Sequence, residues 1–274
     1  MMKRNNFPFS AVLGLNHAKT AILVVLVNPR AGGLLISGPQ GIGKSTLMRS
    51  TQELIERPWR DIPVSVTEDR LFGTIDTEKA IYSGQKKLYP GIINEADQGV
   101  LYLDDANLLR EDLLDSILNI AEVGAYQLER DGLSLRCDTS FTVIAAINPE
   151  SGMLSGACLD QFGLFVNVDN IHDENTRVEI LKRTISFEKD CASFCKLWKL
   201  ENEKIKKQNE GKFMSRKNSI NTMKNKIKEM YDFFSGSDIC FIIGCVIAGV
   251  AIYFDYKLLG VIGLCILLLA RVTG

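Results

Sequence analysis

The stretch Gly38-Pro39-Gln40-Gly41-Ile42-Gly43-Lys44-Ser45 decides how the rest of the chain is read. It fits G-x-x-x-x-G-K-[ST], the phosphate-binding loop, or P-loop. Before it, Gly33-Leu34-Leu35-Ile36-Ser37 reads as a short buried strand. After it, residues 46–55 read as a helix, so the loop has the strand–loop–helix context it requires. Its glycines let the backbone curl until successive N–H groups point inward, and the helix N-terminus adds partial positive charge. Gly38, Pro39, Gln40, Gly41, Ile42, Gly43, Lys44, Ser45 and Thr46 are therefore the expected nucleotide-binding residues. Lys44 is expected to reach the β- and γ-phosphates of ATP, and the Ser45 hydroxyl to ligate Mg²⁺.

A second run, Gly99-Val100-Leu101-Tyr102-Leu103-Asp104-Asp105, has the form of a buried parallel strand with two carboxylates at its C-terminal end. Ligands of open α/β sheets sit at that end. Asp104 is expected to hold Mg²⁺ and Asp105 to polarise the attacking water. Residues 141–146 form another apolar run, ending at Asn148-Pro149. Asn148 there can bond the water or the γ-phosphate, while Asn-Pro also simply ends a strand.

Around these motifs the chain alternates strands and helices. A helix is expected over residues 17–27, capped by Asn16 and stopped by Asn28-Pro29. Residues 58–63 read as a connector, Val64-Ser65-Val66 as a short strand, and residues 68–73 as a polar turn. Residues 92–96 read as a short helix and 107–121 as an amphipathic one. A hairpin is expected around Glu129-Arg130-Asp131-Gly132, and a last strand over residues 164–168. Residues 172–176 cap a helix from about residue 177, whose pattern continues through Phe187, Phe194 and Trp198. His17, in the first turn of the helix over residues 17–27, reads as a surface or capping residue, and His172, with no ligand partners nearby in sequence, reads as structural.

The chain has 274 residues, enough for one large domain or two small ones, and its 46% hydrophobic content suits a folded core. The first two-thirds carries nothing basic enough for a nucleic-acid groove. Residues 1–6 are polar with no apolar run directly after them, so no signal peptide is expected. The seven cysteines are odd in number and scattered, which argues against a disulfide framework. Cys191 and Cys195 share a helix face without histidines nearby, as core residues do.

Residues 6–199 resemble the AAA+ ATPases, and within them the I subunit of magnesium chelatase. The resemblance rests on Phe7-Pro8-Phe9-Ser10-Ala11-Val12-Leu13-Gly14, Asn28-Pro29-Arg30-Ala31-Gly32-Gly33 and the P-loop. It continues through Glu68-Asp69-Arg70-Leu71-Phe72-Gly73, Tyr89-Pro90-Gly91, Asp104-Asp105, Asn148-Pro149-Glu150, Asp160-Gln161-Phe162-Gly163 and Thr176-Arg177-Val178-Glu179. It implies an α/β core with a five-stranded parallel sheet between helices, and a β-hairpin after the carboxylate strand, near residues 125–135. It also implies ATP hydrolysis in a ring, with ATP at subunit interfaces, and a partner subunit with an integrin-like domain. Three departures stand out. Asp105 replaces the family's glutamate, one methylene longer. Gln161 occupies the place of the arginine finger, which can be worth roughly a thousandfold in rate. The C-terminal helical lid with its sensor arginine is not recognisable. Slow hydrolysis, or a degenerate scaffold that only binds ATP, both follow from these changes.

The remainder differs in character. Residues 199–230 carry ten Lys/Arg against four Asp/Glu, so residues 200–236 read as a basic linker, flexible or helical. Residues 239–254 and 258–270 are apolar, separated by Asp255-Tyr256-Lys257. Each run is shorter than the ~20 residues that span hydrocarbon. Residues 237–274 therefore read as a helical hairpin, either inserted in a membrane with the AAA+ domain on the cytoplasmic side, or packed as soluble helices.

Overall fold

The computed structural model describes residues 6–75, 88–130 and 133–233. The expected apolar hairpin over residues 237–274 lies outside them, as does the Asp131-Gly132 turn. Two units divide the chain, Met1–Phe213 and Met214–Gly274. All site residues belong to the first.

That first unit is built on a five-stranded sheet. Its strands are β1 (Leu34–Ser37), β2 (Trp59–Ile62), β5 (Val100–Leu103), β8 (Thr142–Ile147) and β9 (Leu164–Asn167), in the order β2-β5-β8-β1-β9. Every neighbouring pair is parallel, as expected. All five carboxyl ends therefore lie on one edge, and the chain reverses its order beside β1. Strands β1, β5 and β8 are buried along their whole length. Leu35, Leu101, Leu103, Val143 and Ile147 face one core cluster, whereas Leu34, Ile36, Val100, Ile144 and Ala146 face the other. A fully buried side chain of this kind contributes about 1.5–3 kcal/mol, so the sheet is a rigid base for its C-terminal edge.

Helices α1 (Asn16–Val27) and α2 (Lys44–Thr51) supply side chains to the second cluster. Helices α3 (Glu68–Phe72), α4 (Ile92–Glu95) and α5 (Glu111–Val123) supply them to the first. The hairpin of β6 (Ala125–Arg130) and β7 (Leu133–Asp138) follows α5, and a short antiparallel pair, β3 (Gly73–Ile75) and β4 (Leu88–Pro90), follows α3. Helices α6 (Gly156–Asp160), α7 (Glu174–Lys189) and α8 (Cys191–Phe233) complete the described chain.

Several expectations are corrected. The supposed connector, residues 58–63, contains edge strand β2. Its central Arg60 and Asp61 are exposed at the sheet margin, while Trp59 and Ile62 are buried, so the alternation is hidden between two prolines. Val64-Ser65-Val66 is instead a turn, closed by Val66 N–H donating to Pro63 O at 3.0 Å. In the polar stretch 68–73, Glu68–Phe72 form α3 and Gly73 opens β3, and none of it lines the clefts at the P-loop. Helix α1 begins at Asn16, not after it. Gly14 and Leu15 both take left-handed conformations (φ +69° and +53°), so the chain has already turned into the helix at Asn16. Helix α7 starts at Glu174, three residues earlier than expected, because the Asp173 carboxylate accepts from Thr176 N–H at 2.8 Å and caps it there. It also ends at Lys189. Asp190 then caps α8 through Ser193 N–H at 3.0 Å. Helix α8 is unbroken across residue 199, so the basic segment is helical as far as Phe233.

Candidate nucleotide-binding site

Three strand ends converge at the carboxyl edge. The chain leaves β1 into Gly38, β5 into Asp104 and β8 into Asn148, and the register pairs Ser37 with Ile147 and Leu103 with Ala145. The P-loop bends because two of its glycines do what other residues cannot. Gly43 holds φ +93° at the start of α2, and a Cβ on Gly38 would lie 2.4 Å from Val168 O. The loop thereby delivers Lys44 and Ser45 to the first turn of α2.

Lys44 is 8% exposed, and its ammonium donates to Gly38 O at 2.5 Å and Pro39 O at 2.8 Å. Burial lowers its pKa. The carboxylates of Asp105, Asp104 and Glu150 act in the opposite direction. The Ser45 hydroxyl donates to Asp104 Oδ1 at 3.3 Å. Beside them the Tyr102 hydroxyl is buried, and burial first and Asp104 second push its pKa upward. Asp105 adopts the left-handed region (φ +49°) that short polar residues tolerate, and it is exposed to the cleft. Asn148 accepts from Glu150 N–H at 3.1 Å and donates to Ser151 Oγ at 3.3 Å. Asn107 holds that loop from below, its Nδ2 donating to Asn148 O at 3.2 Å and Gly152 O at 3.1 Å.

Gln40, Lys44, Ser45, Asp104, Asp105 and Asn148 thus line one cleft of about 370 Å³. A hydroxyl and a carboxylate 3.3 Å apart, both oxygen donors, suit Mg²⁺, which is held by one or two carboxylates together with substrate phosphates. The cation Lys44 and the open backbone at Gly41 suit a phosphate: an added Cβ at Gly41 would meet nothing within 4 Å. Gln161 does not line this cleft. It ends α6, and its side chain donates to Ala157 O at 3.4 Å.

A second cleft, of about 820 Å³, lies along the same loop and shares Gly41, Gly43 and Thr46 with the first. Its remaining walls are mostly apolar and come from the N-terminal segment (Val12, Leu13, Leu15) and from α7 and the residues before it (Ile171, Arg177, Ile180). His172, read from sequence as structural, lines it and is exposed. None of these residues was assigned a ligand role from the sequence. The signal for them in the sequence is that Phe7 to Gly14 and Thr176 to Glu179 both belong to the family resemblance.

A polar, magnesium-compatible cleft and an apolar one, joined by a P-loop at the switch point of a parallel sheet, define a nucleotide-binding P-loop protein of the AAA+ class. Comparison with known proteins gives the family. An AAA domain of the dynein-related subfamily matches residues 33–161. The magnesium-chelatase 38 kDa subunit of Rhodobacter capsulatus is 34% identical over 235 residues, covering 74% of this chain and 67% of that protein. A magnesium-chelatase subunit ChlI homologue of Methanocaldococcus jannaschii is 32% identical over 245 residues, with 76% and 67% covered. A cryo-EM-based structure of the complex between subunits BchI and BchD of magnesium chelatase matches with a TM-score of 0.58 and 34% identity, covering 75% of this chain and 74% of that one. The chain belongs to the magnesium-chelatase I-subunit family of AAA+ ATPases.

Proposed function

We propose that this chain binds Mg·ATP astride the P-loop, with the phosphates in the polar cleft and the base in the apolar one. The observation that carries this is the sharing of Gly41, Gly43 and Thr46 by two clefts of opposite character. Lys44 would leave its own loop carbonyls for the β- and γ-phosphates, exchanging neutral acceptors for charged ones. Ser45 and Asp104 would hold Mg²⁺, which neutralises charge on the phosphate oxygens when bound. Asp105 would orient a water toward the γ-phosphate, and Asn148, tied down by Ser151, Glu150 and Asn107, would position that water or the phosphate.

Binding is then coupled, in this reading, to remodelling of a partner within an AAA+ oligomer. The match to a structure containing BchI and BchD supports a partner of that second kind, and with it a part in metal insertion that needs further subunits. A membrane tether through residues 237–274 belongs to the same proposal. Among the described residues, no helix is long and apolar enough to cross a membrane.

Two residues favour a second reading, a scaffold that binds ATP without cleaving it. Asp105 is a methylene shorter than the family's glutamate, and a misplacement of about 1 Å costs on the order of a hundredfold. Gln161 brings no charge. Steady-state ATP turnover of the full chain separates the readings, measured for the unaltered chain, Asp105→Glu and Gln161→Arg. Measurable turnover by the unaltered chain, raised at least about tenfold by either substitution, supports a slow ATPase. Binding with no turnover, restored by Gln161→Arg, makes the chain a degenerate ring member.

A further inference from the structure

The arginines that line the apolar cleft are not equivalent. Arg183 is fully engaged: Nε donates to Glu179 Oε1 at 2.9 Å, Nη1 donates to Ala11 O at 3.0 Å, and the guanidinium lies 4.6 Å from the Trp198 ring centroid. Lys19, behind the same wall, donates to Val12 O and sits over Phe9. Arg177 is different. Its backbone N–H continues the helix to Asp173 O at 3.1 Å, yet its guanidinium has no hydrogen bond or ion pair among the described residues.

Position makes this more telling. Arg177 is the fourth residue of α7, beside the positive end of the helix dipole, where a cation is disfavoured. The carboxylate one turn before it, Asp173, is taken up by the N–H and hydroxyl of Thr176. Arg177 is exposed along the cleft, so a phosphate can reach its guanidinium without displacing a protein partner. Its cleft neighbours Gly41, Gly43 and Thr46 belong to the phosphate loop. Around Lys44, meanwhile, the site carries the negative charge of Asp105, Asp104 and Glu150.

We propose that Arg177 supplies, from within the same subunit, a guanidinium to the phosphate group nearest the base of a nucleotide seated against Gly41 and Thr46. The planar fork of an arginine suits two phosphate oxygens at once. This inference rests on the nucleotide reading of the two clefts and adds an affinity determinant that the P-loop motif does not contain.

Calorimetric titration of the full chain with Mg·ATP, Mg·ADP and adenosine tests it. Arg177→Gln is expected to weaken ATP and ADP alike by about tenfold or more, to leave adenosine within about twofold, and Arg177→Lys to recover part of the loss. Unchanged ATP and ADP affinity in Arg177→Gln overturns the proposal. An equal loss for adenosine overturns it as well, because the residue would then act on the base wall or on the fold. If the unaltered chain binds none of the three, the nucleotide reading itself has failed, whatever the variants do.

Discussion

The two clefts that meet at the P-loop were assembled by different physics. The polar one is small, and its functional groups sit at the ends of β1, β5 and β8 or in the first turn of α2. Lys44 and Asn148 are buried there and Ser45 and Asp104 half-buried, each at a fixed position, and burying such a group without a partner is costly. The residue types are therefore specific: a lysine that reaches two carbonyls, a hydroxyl that reaches a carboxylate. The apolar cleft is more than twice as large, about 820 Å³ against 370 Å³, and joins residues near position 12 to residues near 180. Apolar contact is non-directional, so many side chains of similar size would build the same wall. One cleft leaves a motif in the sequence and the other does not.

The largest expected effect lies in the polar cleft. Lys44→Ala removes the buried cation that would face the phosphates, and several charge-assisted bonds go with it. We expect Mg·ATP affinity to fall by about a hundredfold or more. Inorganic tripolyphosphate, which has no base, should lose affinity by a similar factor. If tripolyphosphate binding falls while ATP binding survives, the base wall dominates and the contrast between the clefts is reversed. A smaller effect comes from the opposite wall. Ile180→Trp fills part of the apolar cleft and should weaken Mg·ATP roughly tenfold, the scale of a misfit in an apolar pocket, while tripolyphosphate binds as before. An equal loss of both ligands would mean that the two clefts are not separable.

The same contrast explains what could be read in advance. The P-loop, the carboxylate strand and the strand ending at Asn148 were legible because buried parallel strands are continuous apolar runs and because phosphate binding demands glycines and a lysine at fixed spacing. Strand β2 was not legible: at the sheet margin Arg60 and Asp61 face solvent, so its two buried residues do not alternate in the usual way. The start of α1 was misplaced because a left-handed Leu15 has no sequence signature. Arg177 was quoted in the family resemblance but given no role, since its significance depends on Gly41 and Thr46, some 130 positions earlier, lying across the cleft.

The smallest effect concerns the cap that places Arg177. Asp173 accepts from Thr176 N–H and Oγ1, and these two bonds, the hydroxyl first, hold its pKa below the ordinary carboxylate range. A carboxylate whose folded pKa is depressed stabilises the fold above its unfolded pKa, and that contribution is lost as pH falls through the folded value. Asp173→Ala should therefore lower the melting temperature slightly at neutral pH, and the gap to the unaltered chain should close in acid below the usual carboxylate range. Because the cap fixes the first turn of α7, the same variant should also weaken Mg·ATP by about two- to threefold, less than Arg177→Gln, as expected for a residue that positions the cation rather than supplying it. A melting-temperature gap that stays constant down to strong acid would show that the ionised carboxylate contributes nothing to the cap.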